Sequence, residues 1–444
     1  MEIISILVGD IFALVIVEEW VLIFGVLAGL AFFILLAKKP ELSLAILFNG
    51  LSTYLYLVYK MGLQPNRVRT GCFYGILAAS YLVGGVIILA KRVQKFRLGS
   101  IDLLFIFFFL LVFVSYFVFH TGNESAYIKI TYAPLLVIAP YFGILFLSTA
   151  QRINKFLTYS VLMAAILIIP SFYELLFNAD LRDNTRFSMY SFEGGAINQI
   201  GFAITFAVLL IIIFVRSFEQ RRLEYKDIAM ILPSLFLFLR SGSKGAIISL
   251  IITMLFYALF IAKVNIKTYV YAVFLLALIV CGVYKFIPES TLELYQYTLT
   301  PESLIDGSSS GYLRITMWAE AINEFIENPI LGIGLGNSVG GTGHPHNILL
   351  EVFAELGILG GLIFLPMCYL TIRKAIIFIK RYKLSPMSIL MKISLLLFIY
   401  SLTEAMFSGY IANQGMLFMS MGLVATLAKI KSNNIYEKNL MGGT

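Results

Sequence analysis

We read the chain as an all-α, polytopic integral membrane protein with about 13–14 transmembrane helices. Three observations carry this reading. Hydrophobic residues fill 60% of the 444 positions and charged residues only 13%, whereas a soluble domain is about 45–50% apolar with glycine included and about 25% charged. Apolar runs recur along nearly the whole chain, each close to the roughly 20 residues that cross a bilayer as a helix. The runs are continuous, where a β-barrel would alternate in segments of about 10 residues. The same composition excludes a soluble multidomain enzyme and a disordered chain.

In chain order, the expected spans are 20–38, 41–60, 70–90, 101–120, 129–148, 156–177, 196–215, 228–240, 245–262, 268–287, 347–372, 388–407 and 414–429. Residues 3–17 form a further candidate; the stretch is short, carries Asp10, and ends in Glu18 and Glu19. The N-terminus has neither a basic n-region nor a small-residue cleavage site, so no signal peptide is expected. Three blocks follow: an N-terminal transmembrane bundle (1–287), a large external loop (288–346), and C-terminal spans with a short tail (347–444). The cysteines Cys72, Cys281 and Cys368 lie far apart in or beside apolar runs. They read as buried thiols rather than metal ligands.

Positive charge sets the orientation. If 216–227 is cytoplasmic, alternation of the spans places Lys38/Lys39, Lys91–Arg97, Arg152–Lys155, Lys263–Lys267, Arg373–Lys383 and the tail from Lys429 on the same side. That side holds most of the lysine and arginine, and the C-terminus is cytoplasmic. The net charge of +8 therefore reports topology, and no nucleic-acid partner is expected.

Three segments of the opposite face carry cations against this trend: 178–195, the turn Arg240–Gly245, and the loop 288–345. An anionic ligand is one reason for cations there. Within the long loop, Ser308–Ser310 precede apolar residues at helical spacing: Leu313, Met317, Trp318, Ile322, Phe325 and Ile326. A serine cap at one end and Asn328-Pro329 at the other predict an amphipathic helix on the membrane mouth.

Two of the chain's three histidines, His344 and His346, fall together where the next span begins. Pro345 suits a first helical turn, whose free amides and dipole favour an anion. His346 beside them could act as a base or a donor; the ordinary alternative is an interfacial histidine that caps a helix. Arg314 lies four residues before Trp318 in the amphipathic helix, and its ordinary fate would be a solvated face. Arg240 ends an apolar span and could simply snorkel. Lys244, in Ser-Gly-Ser-Lys-Gly, could lie in an anion-binding nest of backbone amides. Arg186 is preferred to Arg182, which has Asp180 and Asp183 close by. Glu404 is an acid inside an apolar span, and such residues are functional suspects. The glycine-rich 332–337 follows no βαβ pattern, and no phosphate-binding P-loop occurs. No metal-ligand spacing is found, and no cofactor is expected.

The sequence of Arg314-x-x-x-Trp318, Asn328-Pro-Ile-Leu-Gly-Ile-Gly-Leu-Gly336, His346-Asn-x-x-Leu350-Glu and Glu355-x-Gly-x-x-Gly360 resembles the O-antigen ligase/polymerase superfamily of bacterial surface-polysaccharide assembly. Ser243-Lys244-Gly245 stands where that family usually has Ser-Arg-Gly, and Lys keeps the charge but loses the bidentate fork. Arg186-Phe-Ser with Asn198 is a weaker match, and residues 1–170 match only as apolar spans.

The resemblance implies a GT-C-like, metal-independent glycosyltransferase of the inner membrane. Its active face would be periplasmic, and its donor an oligosaccharide on undecaprenyl pyrophosphate. Membrane lipid and a chain-length regulator protein are the other implied partners. His346 would orient or deprotonate the acceptor hydroxyl. Arg314 would act with it, and Lys244, Arg240, Arg186, His344 and Glu404 would contact pyrophosphate or glycan. Polymerisation of repeat units and ligation to lipid A–core both stay open, with polymerase preferred. A lipid-linked-oligosaccharide flippase is the non-enzymatic alternative. It would favour repeated halves and mid-span charges, and the sequence shows neither.

Overall fold

The computed structural model describes residues 30–49, 67–90, 98–119, 122–177, 199–262, 310–338, 344–383 and 385–430, with isolated positions between 293 and 300. The candidate spans 3–17 and 268–287, Arg182, Arg186, Cys281 and most of 288–309 lie outside these residues. The chain runs through α1 (Pro40–Asn49), α2 (Arg67–Ala90), α3 (Ser100–Phe119), α4 (Glu124–Leu147), α5 (Ala150–Phe177), α6 (Gln199–Gln220) and α7 (Tyr225–Arg240). It continues through α8 (Lys244–Ala262), α9 (Ser310–Glu327), α10 (Ile348–Arg381), α11 (Pro386–Ala405) and α12 (Gly415–Lys429). No strand occurs among the described residues. Among the described residues seven helices (α3–α6, α8, α10 and α11) are long and apolar enough to cross a membrane, and the chain is a multi-pass, all-α membrane protein.

Sequence dictates where these helices begin and bend. Asn123, Thr149 and Ser385 cap α4, α5 and α11 through their side-chain oxygens, which satisfies first-turn amides that have no intrahelical partner. Pro134 cannot donate to the ladder, and α4 passes through a π-helical turn at Pro134–Ile138. Helix α10 extends beyond the expected end at 372 to Arg381, and Lys380 and Arg381 close it. Cations complement the partial negative charge of a helix C-terminus.

Helix α11 sits at the centre and packs on α5, α6, α8, α10 and α12. It is buried nearly all round, as a helix that is apolar on every side should be. Phe105, Phe108 and Phe109 of α3 pack around Phe418 of α12, and Phe105 stacks on Tyr141 of α4 at 3.7 Å between ring centroids. The outward face of α3 presents Phe107, Leu110, Val114, Phe117 and Val118, a stripe that only lipid accommodates. Cys368 is a buried free thiol, as expected.

Ionic ties join one end of the bundle. Arg152 pairs with Glu41 at 3.1 Å, Lys392 with Glu219 at 2.5 Å, and Lys429 with Asp102 at 2.5 Å. Arg216 donates to Asn154 at 3.0 Å. These are segments that the charge pattern assigns to a common side.

Candidate functional site

At the other end, α10 begins three residues later than Pro345. Asn347 is its cap, and Asn347 Oδ1 accepts from the amides of Leu349 and Leu350 at 3.1 and 3.2 Å. This corrects the expectation that Pro345 occupies the first helical turn with free amides beside it. Asparagine outcompetes proline for that position because it satisfies two first-turn donors itself. His346 precedes the cap with φ 51°, a left-handed conformation uncommon outside glycine. Trp318 holds it there from α9: its indole N–H donates to the Pro345 carbonyl at 3.0 Å. The Arg…Trp motif thus works as a bracket, with Trp318 on the backbone before His346 and Arg314 one turn earlier.

Arg314 is half-buried and close enough to His346 to act on its charge. Burial, and then the Arg314 guanidinium, hold the His346 imidazole below its ordinary value. The ring is therefore neutral at pH 7. Its Nδ1 is buried and has no hydrogen-bond partner among the described residues. The His344 ring lies 4.4 Å from that of His346, and Tyr410 lies 5.0 Å from His344. Burial raises the Tyr410 phenol above its usual value, so it stays protonated.

Glu404 is buried near the end of α11, bonded to Ser408 and within electrostatic reach of Arg314. Phe407, whose amide bonds the Glu404 carbonyl at 2.8 Å, packs against Gly245; a Cβ there would lie 2.8 Å from Phe407 Cβ. The Ser-Gly-Ser-Lys-Gly turn therefore borders the same mouth. Lys244 opens α8 there, and Arg240 ends α7 just before the turn, only 1% exposed. That burial excludes simple snorkelling. The structure thus brings His346, Arg314, His344 and Glu404 together, with Lys244 and Arg240 adjoining through the turn.

The glycine-rich stretch has a structural purpose. Helix α10 is broken at Gly357 (φ 63°, ψ −161°), a conformation essentially restricted to glycine. Residues 329–334 thread across the break. The Ile358 amide donates to the Pro329 carbonyl at 2.8 Å, Ile333 to Ala354 at 2.9 Å, and Gly334 to Glu355 at 3.1 Å. A Cβ on Gly332 would fall 2.4 Å from the Glu355 backbone carbon. Irregular backbone is tolerated in a span only where protein satisfies it, and this loop does so. The loop is pinned in turn: Asn123 donates to Gly336 at 2.9 Å and Asn337 to Phe119 at 2.9 Å.

Helix α9 forms over nearly the expected residues, but its apolar positions divide. Phe325 packs on Phe353 at 5.3 Å and Ala321 is buried. Leu313, Ile322 and Ile326 face outward, as an interfacial helix in contact with lipid would have them.

Sequence reasoning missed one ionic group. Lys129 of α4 pairs with Glu351 at 2.6 Å and with Glu355, all three essentially inaccessible. Glu351 and Glu355 were visible as parts of the motif and lie one turn apart, but nothing in the sequence pointed to Lys129 as their partner. No group of three His, Cys, Asp or Glu side chains suited to a metal ion occurs among the described residues.

Residues 228–365 match the family model described as O-antigen ligase. No curated protein matches the chain. The matched segment contains Arg240, Lys244, Arg314 and His346 together with the threaded break, and over that segment the chain is similar to the O-antigen ligase/polymerase superfamily.

Proposed function

We propose that this membrane protein is a glycosyltransferase that polymerises undecaprenyl-pyrophosphate-linked oligosaccharide repeat units at the periplasmic face of the bacterial inner membrane, with its C-terminus in the cytoplasm. The observation that carries the reading is the buried, unpartnered Nδ1 of a neutral His346 beside Arg314. A neutral imidazole with an open lone pair is equipped to take a proton from an acceptor hydroxyl. The acceptor oxygen forms a bond to the donor's anomeric carbon, and its proton passes to His346. The bond from that carbon to the pyrophosphate oxygen breaks, and its electron pair leaves with undecaprenyl pyrophosphate. Arg314, supported by Lys244 and Arg240, stabilises the charge that develops on the leaving group. In this reading the cations supply that stabilisation without a metal, and Glu404 and His344 contact glycan hydroxyls. The described helices before the mouth anchor it, α9 borders it, and a chain-length regulator would act on the product.

Ligation of a finished chain to lipid A–core is the second reading, favoured by the description of the family model itself. The test uses purified protein in detergent with one synthetic undecaprenyl-pyrophosphate-linked repeat unit. A ladder of products that vanishes in Arg314→Ala and His346→Ala supports polymerisation. Product that forms only once a lipid A–core acceptor is added supports ligation. Translocation in vesicles with no transfer under either condition overturns both.

A further inference from the structure

We propose that Lys129 is a positioning residue: by clamping Glu351 and Glu355 it sets the start of α10, and with it the imidazole of His346. The inference rests on the reading of His346 as the base. Its starting point is energetic. Three ionisable side chains are buried where α4 meets α10. Replacing a buried ion group by apolar residues of similar volume is often neutral or stabilising, and ionisable groups inside spans mark function by default. Packing alone gives no reason for a lysine there.

The break at Gly357 supplies one. A helix usually holds its first turns through the ladder that continues into the rest of the helix. In α10 that ladder is interrupted soon after the turns in question. The segment between the Asn347 cap and Gly357 must therefore be located from the side. The threaded loop fixes it at the level of Ala354 and Glu355. Lys129 fixes it nearer the cap, because Glu351 lies in the first turn.

The clamp also reaches the other side of the histidine pair. The second oxygen of Glu351 accepts from the Ile411 amide at 2.9 Å. Ile411 follows Tyr410, whose ring packs against His344, and His344 against His346. Lys129 Nζ itself stands 5.9 Å from the centre of the Tyr410 ring. One lysine thus ties α4, the head of α10 and the Tyr410 turn into a frame around His346. The charged group that acts on that imidazole is Arg314 from α9, and the neutral phenol of Tyr410 lies beyond His344.

Lys129→Met alone leaves two buried carboxylates facing each other without a counter-ion, which destabilises the fold. The deciding variant is therefore the neutral triple Lys129→Met/Glu351→Gln/Glu355→Gln. A second, Glu351→Gln, leaves a one-to-one ion pair and an amide oxygen that still accepts from Ile411. Both are assayed in detergent with the synthetic lipid-linked repeat unit, with melting midpoints measured alongside. In parallel, the pH midpoint for modification of His346 by diethyl pyrocarbonate is read by mass spectrometry; it requires no turnover. The triple variant should melt like the wild type and lose about tenfold or more in kcat with donor KM unchanged, the pattern of a lost transition-state interaction. Its His346 midpoint should rise toward the ordinary imidazole value as the ring loses its fixed, buried place. Glu351→Gln should show the same changes in smaller measure, and Lys129→Arg should recover part of the activity lost in Lys129→Met. Wild-type kcat and an unmoved His346 midpoint in either folded variant overturn the proposal. If the wild type itself transfers no sugar, the functional reading falls, while the modification midpoint still decides whether Lys129 positions His346.

Discussion

Substituting Trp318 by phenylalanine isolates a single hydrogen bond. The ring still fills its half-buried place between α9 and the His346 segment, but the indole N–H that donates to the Pro345 carbonyl at 3.0 Å is gone. Such a bond contributes about 1 kcal/mol net. What it restrains is the next residue: His346 is held at φ 51°, a conformation that costs roughly 1–2 kcal/mol for a residue with a Cβ. Without the restraint, relaxation of His346 to an ordinary φ regains that strain and turns the imidazole away from the mouth. A shift of about 1–2 kcal/mol against the working conformer lowers kcat by roughly 5- to 30-fold. Donor KM should change little, because Arg314, Lys244 and Arg240 are untouched. The assay is product formation from the lipid-linked repeat unit over a range of donor concentration, with the melting midpoint as a control for folding. A Trp318→Phe protein with wild-type kcat would refute the reasoning, since it would show that neither the tether nor the left-handed backbone at His346 matters to transfer.

Four further outcomes follow from the same geometry. If His346 is the neutral base, as proposed, then because its proton affinity is lowered first by burial and then by Arg314, the rate should fall as pH drops through a value below the ordinary ~6.5 and stay flat above it. Arg314→Gln removes a repulsion on the imidazolium and should move that limb upward, seen in the pH profile of kcat/KM or in the titration of the His346 ring protons. Gly357→Ala forces a side chain into φ 63° and ψ −161°, where its Cβ would lie 2.3 Å from the Ile330 carbonyl oxygen. The backbone strain alone costs about 1–3 kcal/mol, so the melting midpoint in detergent should fall and activity with it. At the far end, Lys392→Met should lower stability by roughly 1–3 kcal/mol, less than a fully buried pair because Lys392 and Glu219 keep some exposure. Denaturation should register the loss while kcat at a permissive temperature stays unchanged, and adding Glu219→Gln should restore most of the stability.

The spans were legible because bilayer length and composition leave few other structures to an apolar run of that size. Arg152, Arg216 and Lys429, which the charge pattern groups on one side, form their ties at one end of the bundle. His346 and Arg314 stood out through the motif, and Glu404 as an acid inside an apolar span, where such a side chain calls for a reason. The local geometry could not be named. Pro345 looked like a helix start because that is its commonest use, but whether the following asparagine takes over the capping is decided by tertiary ties such as the one to Trp318. Lys129 lies 222 positions before Glu351, and no local pattern couples residues across such a separation. The glycines at 332 and 357 were visible only as parts of the motif, and their close approach could not be read, because the partner of each is backbone, which carries no sequence signature.

The broken span also explains why so much of the motif is glycine and backbone rather than reactive side chain. If the site meets a lipid-linked pyrophosphate, as proposed, it sits at the edge of the bilayer, where a continuous helix would carry its first turn past the headgroup level with little lateral support. Breaking α10 at Gly357 allows its head to be set by neighbours from three directions: the threaded 329–334 strand of backbone, Lys129 of α4, and Trp318 of α9. Each of these ties ends within a few residues of His346 or on the segment that carries it. The ionic ties of the opposite end reach none of them. On the proposed reading, stability and chemistry would be borne by separate sets of residues along the same helices. Lys392 and Trp318 are the sharpest pair for testing that division, because each loses one polar tie, one at each end of the bundle. Loss of stability without loss of kcat at Lys392, and the reverse at Trp318, is the pattern the structure requires; equal effects on both quantities at both positions would mean that the bundle transmits strain along its length and that the head of α10 is not independently placed.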